Sequence, residues 1–584
     1  MVFFFEDAKG ARPLARLTLG GIKIAWADLA AFLLLAGLAV LTFHGAEQMG
    51  RPLSQLQTSP VTLDPIHLPE YALRTTLRMF AALGASLIFT FIIATAAARS
   101  KKAEMIIVPA LDILQSIPVL GFLTFTVTMF MNLFPGNQLG VECASIFLVF
   151  TAQAWNMAFS FYQSLRTLPT DLDEVTRNFG FSPWRRFIRL ELPFAIPGLV
   201  WNMMMSMSGS WFFVVASEAI TVGHTSIVLP GIGSWLGLAI QQQNLGAVTW
   251  GVVAMAIVIL LYDQLFFRPI VAWADKFRFE QTASQETPKS WLYDLVHRTR
   301  FLRQAFSLLG WPMKKLAAIK WSKLPPAPQV RIPAQANRAF DILWIAIVVI
   351  ACGFSIWELV TYIAKSLNWG DLGIVVAMGL ATLLRVVVLI AIASVIWVPI
   401  GVWIGLRPAW TERLQPIAQF LAAFPANVLF PFVAMLVVTF RLDPNIWLSP
   451  LMILGTQWYI LFNVIAGASV IPGDLKEVSG MFGLKGWQWW RQVALPAIFP
   501  YYVTGALTAS GGSWNASIVA EAVDWGKTHI EAFGLGAYIA RATAAGDYAR
   551  VALGIVVMSA FVIAFNRSVW RPLYGYAERR LRMN

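Results

Sequence analysis

This sequence is short of charge. Only 13% of its 584 residues are Asp, Glu, Lys or Arg, against about 25% in an average soluble domain. A soluble chain of this length splits into domains with polar exteriors and needs no such apolar excess. Cysteine is scarcer still, with two residues. Cys143 and Cys352 stand far apart in apolar runs, which excludes a disulfide framework and a cysteine metal site. The five histidines form no HExxH-type pair, and no nucleophile lies in a recognisable base arrangement, so an enzyme is not expected. Residues 1–25 carry Lys9, Arg12, Arg16 and Lys23 but no small-residue cleavage site after a short apolar core. They read as a cytoplasmic arm over 1–27 rather than a cleaved signal. Gly526-Lys527-Thr528 ends like a phosphate-binding loop, yet the position that needs the first glycine is Glu521, so a nucleotide site is excluded there.

What is present is apolar and aromatic: 58% hydrophobic residues, with 25 Trp and 41 Phe. Rings of this kind anchor helices at a membrane interface. A spanning helix needs about 20 mostly apolar residues. Such runs fall at 28–43, 72–98, 105–132, 141–166, 195–220 and 247–267, then at 341–363, 374–406, 413–440, 446–470, 498–522 and 550–568. The pattern predicts about twelve transmembrane helices, six plus six.

The net charge of +13 would raise nucleic acid for a soluble protein. Here the basic residues cluster between spans. Arg99, Lys101 and Lys102 follow span two, Arg166, Arg177, Arg185, Arg186 and Arg189 follow span four, and Arg268, Lys276 and Arg278 follow span six. Loops 133–140 and 221–246 have neither Lys nor Arg. Positive loops stay inside, which puts both termini in the cytoplasm and calls for no nucleic acid. Residues 272–338 read as a basic cytoplasmic linker. They form either a solvated tether or a surface with one amphipathic helix near 291–309.

The two halves are copies. Trp155, Asp171, Glu174, Gly180, Pro193, Trp211, Glu218 and Gly231 recur 303 residues later. Arg78, Pro109 and Pro118 recur 307 residues later as Arg385, Pro416 and Pro425. An even number of spans per copy gives both the same orientation, related by a pseudo-twofold along the membrane normal with a pathway between them. The expected division is 1–27 arm, 28–271 first unit, 272–338 linker and 339–584 second unit. Pro118 and Pro425 are expected to kink or end span three.

The loop after span four carries the most specific pattern. It runs from Asp171 and Glu174 to Gly180, then nine residues to Leu190-Glu-Leu-Pro193. The second copy runs from Asp474 and Glu477 to Gly483, then to Val493-Ala-Leu-Pro496. The spacing predicts a helix with a capping-box start, a left-handed glycine at its end, a new start at Ser182-Pro183 and a stop at each later proline. This loop resembles the EAA motif of ABC importer permeases, matching at Glu174, Gly180, Leu190, Leu192 and Pro193 and at Glu477, Gly483, Val493, Leu495 and Pro496. The two alanines are replaced by Val175-Thr176 and Val478-Ser479. Trp211 with Glu218, Gly231-Ile-Gly233, Thr75-Thr-Leu-Arg78 and their mates look similar to permeases for nitrate, sulfonates, taurine and bicarbonate.

The resemblance implies an all-α fold of two tandem six-helix type I importer (MetI-like) units in a bacterial inner membrane. It implies two cytoplasmic ATPase subunits that engage loops 171–193 and 474–496, a periplasmic binding protein, and one permease chain per complex. ATP and Mg would sit on those partners and no cofactor on this chain. The solute is expected to be a small anion. Iron and thiamine importers share the loop and the fusion, so those substrates stay open.

Arg78 and Arg385 lie a turn or two inside span two. They could offer charge to an anion, but snorkelling or pairing with a carboxylate is the favoured reading. Glu218 and Glu521 could partner those arginines, cap the following turn or sit plainly at the interface. Trp211 and Trp514 could gate a pore, although buried aromatics usually pack. A secondary carrier would need a midplane carboxylate relay. Asp112 is the nearest candidate and no convincing relay accompanies it. A membrane scaffold that recruits partners through its basic linker is the third reading.

Overall fold

The computed structural model describes residues 16–19, 22–25, 61–222, 225–277, 291–293, 334–469, 471 and 473–580. The expected first span at 28–43 lies outside these residues, as do most of the N-terminal arm, the linker and the amphipathic helix near 291–309. Within the arm, β1 (Arg16–Leu19) and β2 (Ile22–Ala25) pair antiparallel.

The first half opens with α1 (Leu68–Arg99). A broken segment follows, α2 (Lys101–Ser116) and α3 (Leu123–Leu133), separated by a 3-10 turn at Val119–Phe122. Next come α4 (Leu139–Arg166), the short α5 (Thr170–Asn178) and α6 (Leu192–Glu218). A hairpin of β3 (Ala219–Val222) and β4 (Thr225–Val228) leads into α7 (Ile232–Gln241) and α8 (Leu245–Tyr262).

After α9 (Ala334–Ser366) the order repeats: α10 (Trp369–Gly405), α11 (Pro408–Ala423), α12 (Phe430–Phe440) and α13 (Gln457–Ser469). Then come α14 (Gly473–Met481), α15 (Leu495–Ala520), the hairpin β5 (Ala522–Trp525) with β6 (Thr528–Glu531), α16 (Leu535–Ala545) and α17 (Tyr548–Phe565).

Among the described residues, eight helices are long and apolar enough to cross a membrane, or up to ten if each of two bent pairs is one span. The expected span at 105–132 is the broken α2–α3 segment. Its mate α11–α12 bends by 76°. Both breaks fall at a proline: α2 ends at Ser116 just before Pro118, and α11 ends at Ala423 just before Pro425. Proline has no N–H to continue the ladder and forces the preceding residue out of the helical region.

Helix packing is inside-out relative to a soluble bundle. On α1 the buried stripe is Thr75, Arg78, Met79, Ala82, Ser86 and Thr90, while Ile88 and Ile92 are exposed. Lipid solvates isoleucine as well as a protein core does, so small and polar residues turn inward where backbones can approach. On α10 the pair Gly401 and Gly405 does the same. A Cβ on either would press on Val464, Ile465 or Ala468 of α13.

Each half has its own core, but the elbows are exchanged. Val119 and Leu120, just past the first break, pack in the second half's core. Ala423 and Val428, around the second break, pack in the first half's core. The Val119 amide donates to Asn515 Oδ1 at 2.6 Å, and Asn427 Nδ2 donates to the Phe212 carbonyl at 3.0 Å.

Two local expectations are corrected. Helix α5 begins at Thr170, so Asp171 lies inside the first turn with Asp173 rather than capping it. Both carboxylates still lie in the first turn, where negative charge is favourable. Pro193 and Pro496 stop nothing. The stretches Pro183–Glu218 and Gly486–Ala520 are each one span, carried past the proline by a π-helical turn at Phe187–Glu191 and at Trp490–Ala494. The wider turn accommodates the residue that an α-helical ladder would reject.

Candidate functional site

Arg78 is fully buried and fully bonded. Its Nε and Nη2 grip Glu142 at 2.6 and 2.7 Å, and its Nη1 donates to Glu218 Oε1 at 2.6 Å and to the Pro230 carbonyl at 3.0 Å. The other Glu218 oxygen accepts from the Gly233 amide at 2.7 Å, and Thr75 Oγ1 accepts from the Ile232 amide at 3.1 Å. A bidentate guanidinium–carboxylate pair fixes geometry as well as charge. The cluster thus ties α1, α4, the end of α6 and the start of α7 together. The Gly231-Ile-Gly233 turn can approach because its two glycines lack side chains; a Cβ at Gly231 would fall on the Glu218 carboxylate.

The second half builds the same brace with one change. Arg385 Nη1 meets Glu521 Oε1 at 2.8 Å, Thr382 Oγ1 donates to that oxygen at 2.9 Å, and the Gly536 amide donates to Oε2 at 2.7 Å. Asn445 stands 303 residues after Glu142 and accepts from Arg385 Nη2 at 3.0 Å and from the Phe533 amide at 2.7 Å. Sequence reasoning missed Glu142 and Asn445. The available signal was a single acid inside the apolar fourth span, at a repeat-matched position.

Each arginine is therefore committed within its own half. A cavity of about 470 Å³ lies between the halves, walled by α4, α6 and the elbow of the first and by α13, α15 and the elbow of the second. Among the described residues no Asp, Glu, Lys, Arg or His lines it; Asn, Ser, Thr and aromatic side chains do. Arg78, Arg385, Glu218 and Glu521 are not among its walls. The paired tryptophans part company. Trp211 is fully buried edge-on against Tyr262, outside the cavity, while Trp514 is 1% exposed, stacks on Phe561 and lines the cavity.

The loops expected to couple to partners are exposed in both halves. Gly180 and Gly483 have φ of 62° and 64°, the left-handed region that glycine enters without Cβ strain. Glu174 and Glu477 are exposed, whereas Leu190, Leu192, Pro193, Val493, Leu495 and Pro496 are half-buried at the foot of the following helix. The two loops are anchored differently. In the first, Arg186 bridges Asp173 at 2.7 Å and Glu191 at 3.0 Å, and Arg99 adds a contact to Glu191 at 2.8 Å. The corresponding second-half residues are Trp489, Lys476, Ala494 and Leu406. There, edge-on packing of Trp489 against Trp490 takes their place.

Gly526-Lys527 forms the two-residue turn between β5 and β6, with Gly526 at φ 62°, so it cradles no phosphate. His529 on β6 hydrogen-bonds Asp524 and Glu531. Partial burial works against its charged form, but the two carboxylates outweigh it and raise its pKa above the usual 6.5.

The two repeats together complete the cavity. The family model described as binding-protein-dependent transport system inner membrane component matches the chain twice, over residues 69–268 and 397–582. The chain belongs to that family and carries two of its domains in tandem. It is 31% identical over 159 residues to the bicarbonate transport system permease protein CmpB of Synechococcus elongatus, covering 27% of this chain and 56% of that one. It is 29% identical over 189 residues to the nitrate import permease protein NrtB of Leptolyngbya laminosa, covering 32% and 64%. It is 29% identical over 168 residues to the glycine betaine/proline betaine permease protein ProW of Escherichia coli, covering 29% and 43%. The matched stretch spans roughly half the length of these relatives.

Proposed function

We propose that this chain by itself forms the translocation pathway of an ATP-driven importer for a small solute, an anion of the nitrate, sulfonate or bicarbonate type. The units are 28–271 and 339–584, joined by the basic linker, with both termini in the cytoplasm. Two ATPase subunits dock on loops 171–193 and 474–496, and a periplasmic binding protein delivers the solute to the opposite face. Closure of the ATPases pulls the two loops together. The half-buried residues Leu192 and Leu495 pass that motion into α6 and α15, which wall the cavity, and access alternates as one half rocks against the other. Trp514 lines the path. The Arg78–Glu218 and Arg385–Glu521 braces hold the ends of α6 and α15 rigid while they move.

The observation that carries this reading is the placement of the cavity between the repeats, with an exposed loop rising into each of its walling helices. The bicarbonate and nitrate permeases among the relatives support an anion. The test is uptake in vesicles that contain the chain with its co-purifying ATPase. Proline cannot adopt φ near 60°, so Gly180→Pro and Gly483→Pro are expected to insert normally, leave hydrolysis running and cut uptake at least about tenfold, a barrier of about 1.4 kcal/mol. Unchanged uptake in both variants sinks the proposal. Uptake that needs no ATP would put a secondary carrier in its place.

A further inference from the structure

Most of the hydroxyls that line the cavity are already spent. Thr504, Thr508 and Ser208 donate to carbonyls four residues back on their own helices, and Thr151 donates to the Leu148 carbonyl. Asn515 donates to the Gly511 carbonyl and accepts from the Val119 amide. Tyr459, near the start of α13, is different. It lines the cavity and is only 9% exposed, yet among the described residues its hydroxyl has no hydrogen-bond partner. Nor is that oxygen sealed inside the protein, as the unpartnered indole nitrogens of Trp155, Trp514 and Trp570 are. It therefore opens on the cavity with its proton and lone pairs unused.

The Tyr459 ring crosses from the second half to the first. A Cβ on Gly209 of α6 would stand 3.2 Å from its oxygen. Ser206 lies three residues before Gly209, on the same face of that helix, and lines the same cavity. Its hydroxyl accepts from Asn156 Nδ2 at 3.0 Å, and among the described residues it donates to nothing. A serine hydroxyl that accepts still has one proton to give. Two unspent O–H donors thus converge within about one turn of α6. The repeat does not reproduce the arrangement. Asn156 stands where the second half has Tyr459, and Ala509 and Gly512 stand where the first has Ser206 and Gly209.

We infer that the Tyr459 and Ser206 hydroxyls form a solute-binding point in the pathway, donating together to a compact group with two or more acceptor oxygens. This deepens the proposed function and rests on it for the charge of that group, which in that reading is an oxyanion such as a carboxylate, a sulfonate, nitrate or bicarbonate. Among the described residues no cation lines the cavity, so the grip is weaker than that of a bidentate guanidinium. A transport site needs that balance, because a solute bound too tightly does not leave. Gly209 keeps the point open: a side chain there would press on the phenol oxygen and take the space of the solute.

The test uses the full chain in lipid nanodiscs and trifluoroacetate as the probe, followed by its 19F line width. Saturable broadening is expected, reversed by excess acetate. Tyr459→Phe keeps the ring and removes the oxygen, and should weaken binding at least about tenfold, the order of one hydrogen bond to a charged group. Because that oxygen bonds no described residue of the protein, the midpoint of peak loss on heating should not move. Ser206→Ala should weaken binding about 3- to 10-fold. Tyr538→Phe, which removes a buried hydroxyl outside the cavity, should leave binding unchanged. Absence of saturable broadening, a Tyr459→Phe variant that binds like the parent, or a heating midpoint that falls along with its binding overturns the inference. Neutral trifluoroacetamide separates the site from the reading it rests on. If it binds as tightly as trifluoroacetate and loses binding in Tyr459→Phe, the hydroxyl site stands and the anion assignment falls; weaker binding of the amide supports both.

Discussion

Removing Glu142 isolates the energetic core of the first brace. Arg78 and Glu142 have side-chain exposures of 0% and 1%, and Glu142 supplies two of the four hydrogen bonds to the guanidinium. Glu142→Ala strands a buried charge with one carboxylate and one carbonyl. Breaking a buried pair from one side costs about 3–5 kcal/mol. For a cooperative unit of about 150–250 residues, each kcal/mol lowers the midpoint by about 2–4 °C, so a fall of about 6–20 °C is expected. Asn445→Ala is the internal comparison. Its amide occupies the matching place but is exposed and neutral, and its loss should cost no more than about 1.5 kcal/mol. The assay is the apparent midpoint of monodisperse peak loss on heating in detergent, read for both variants side by side. Glu142→Ala no less stable than Asn445→Ala would show that the bidentate contact is not what holds this half, and the account of the brace would fail.

The unequal anchoring of the two loops gives another expectation. Arg186→Ala removes both bridges that join Asp173 and Glu191, so amide exchange should rise across 170–191 by mass spectrometry, while Trp489→Ala should change 473–494 only modestly. Equal responses would contradict the difference in anchoring. The β5–β6 hairpin should depend on pH. A histidine whose folded pKa is raised stabilises fully below its unfolded value of 6.5 and loses that contribution as pH rises through the folded value. Corrected for intrinsic rates, exchange in 522–531 should therefore be slower near about pH 6 than near about pH 9, on either side of ordinary histidine titration. His529→Gln should abolish the difference; a dependence that persists in that variant refutes the assignment.

The helical spans were legible because lipid admits so few solutions. The run at 550–568 is apolar apart from its ends, and α17 covers most of it. The repeat was legible because its marker residues are ones with special backbone or packing demands: Gly180, Gly231, Pro118 and Trp211 all recur. Partners across space were not. Glu142 lies 64 residues from Arg78, and nothing local marks one acid in an apolar helix as its counterpart. The π-turns were misread for a different reason. The rule that proline ends a helix is a rule about four-residue ladders, and Pro193 and Pro496 follow a five-residue one.

The exchanged elbows bear on how the molecule is made. The first half emerges from the ribosome and enters the membrane well before Ala423 and Val428 exist, yet those residues complete its core. Until synthesis passes that point the first half's core lacks two of its buried residues, and Val119 and Leu120 wait for a core not yet translated. Completion of each core is thus tied to translation of the second half of the chain.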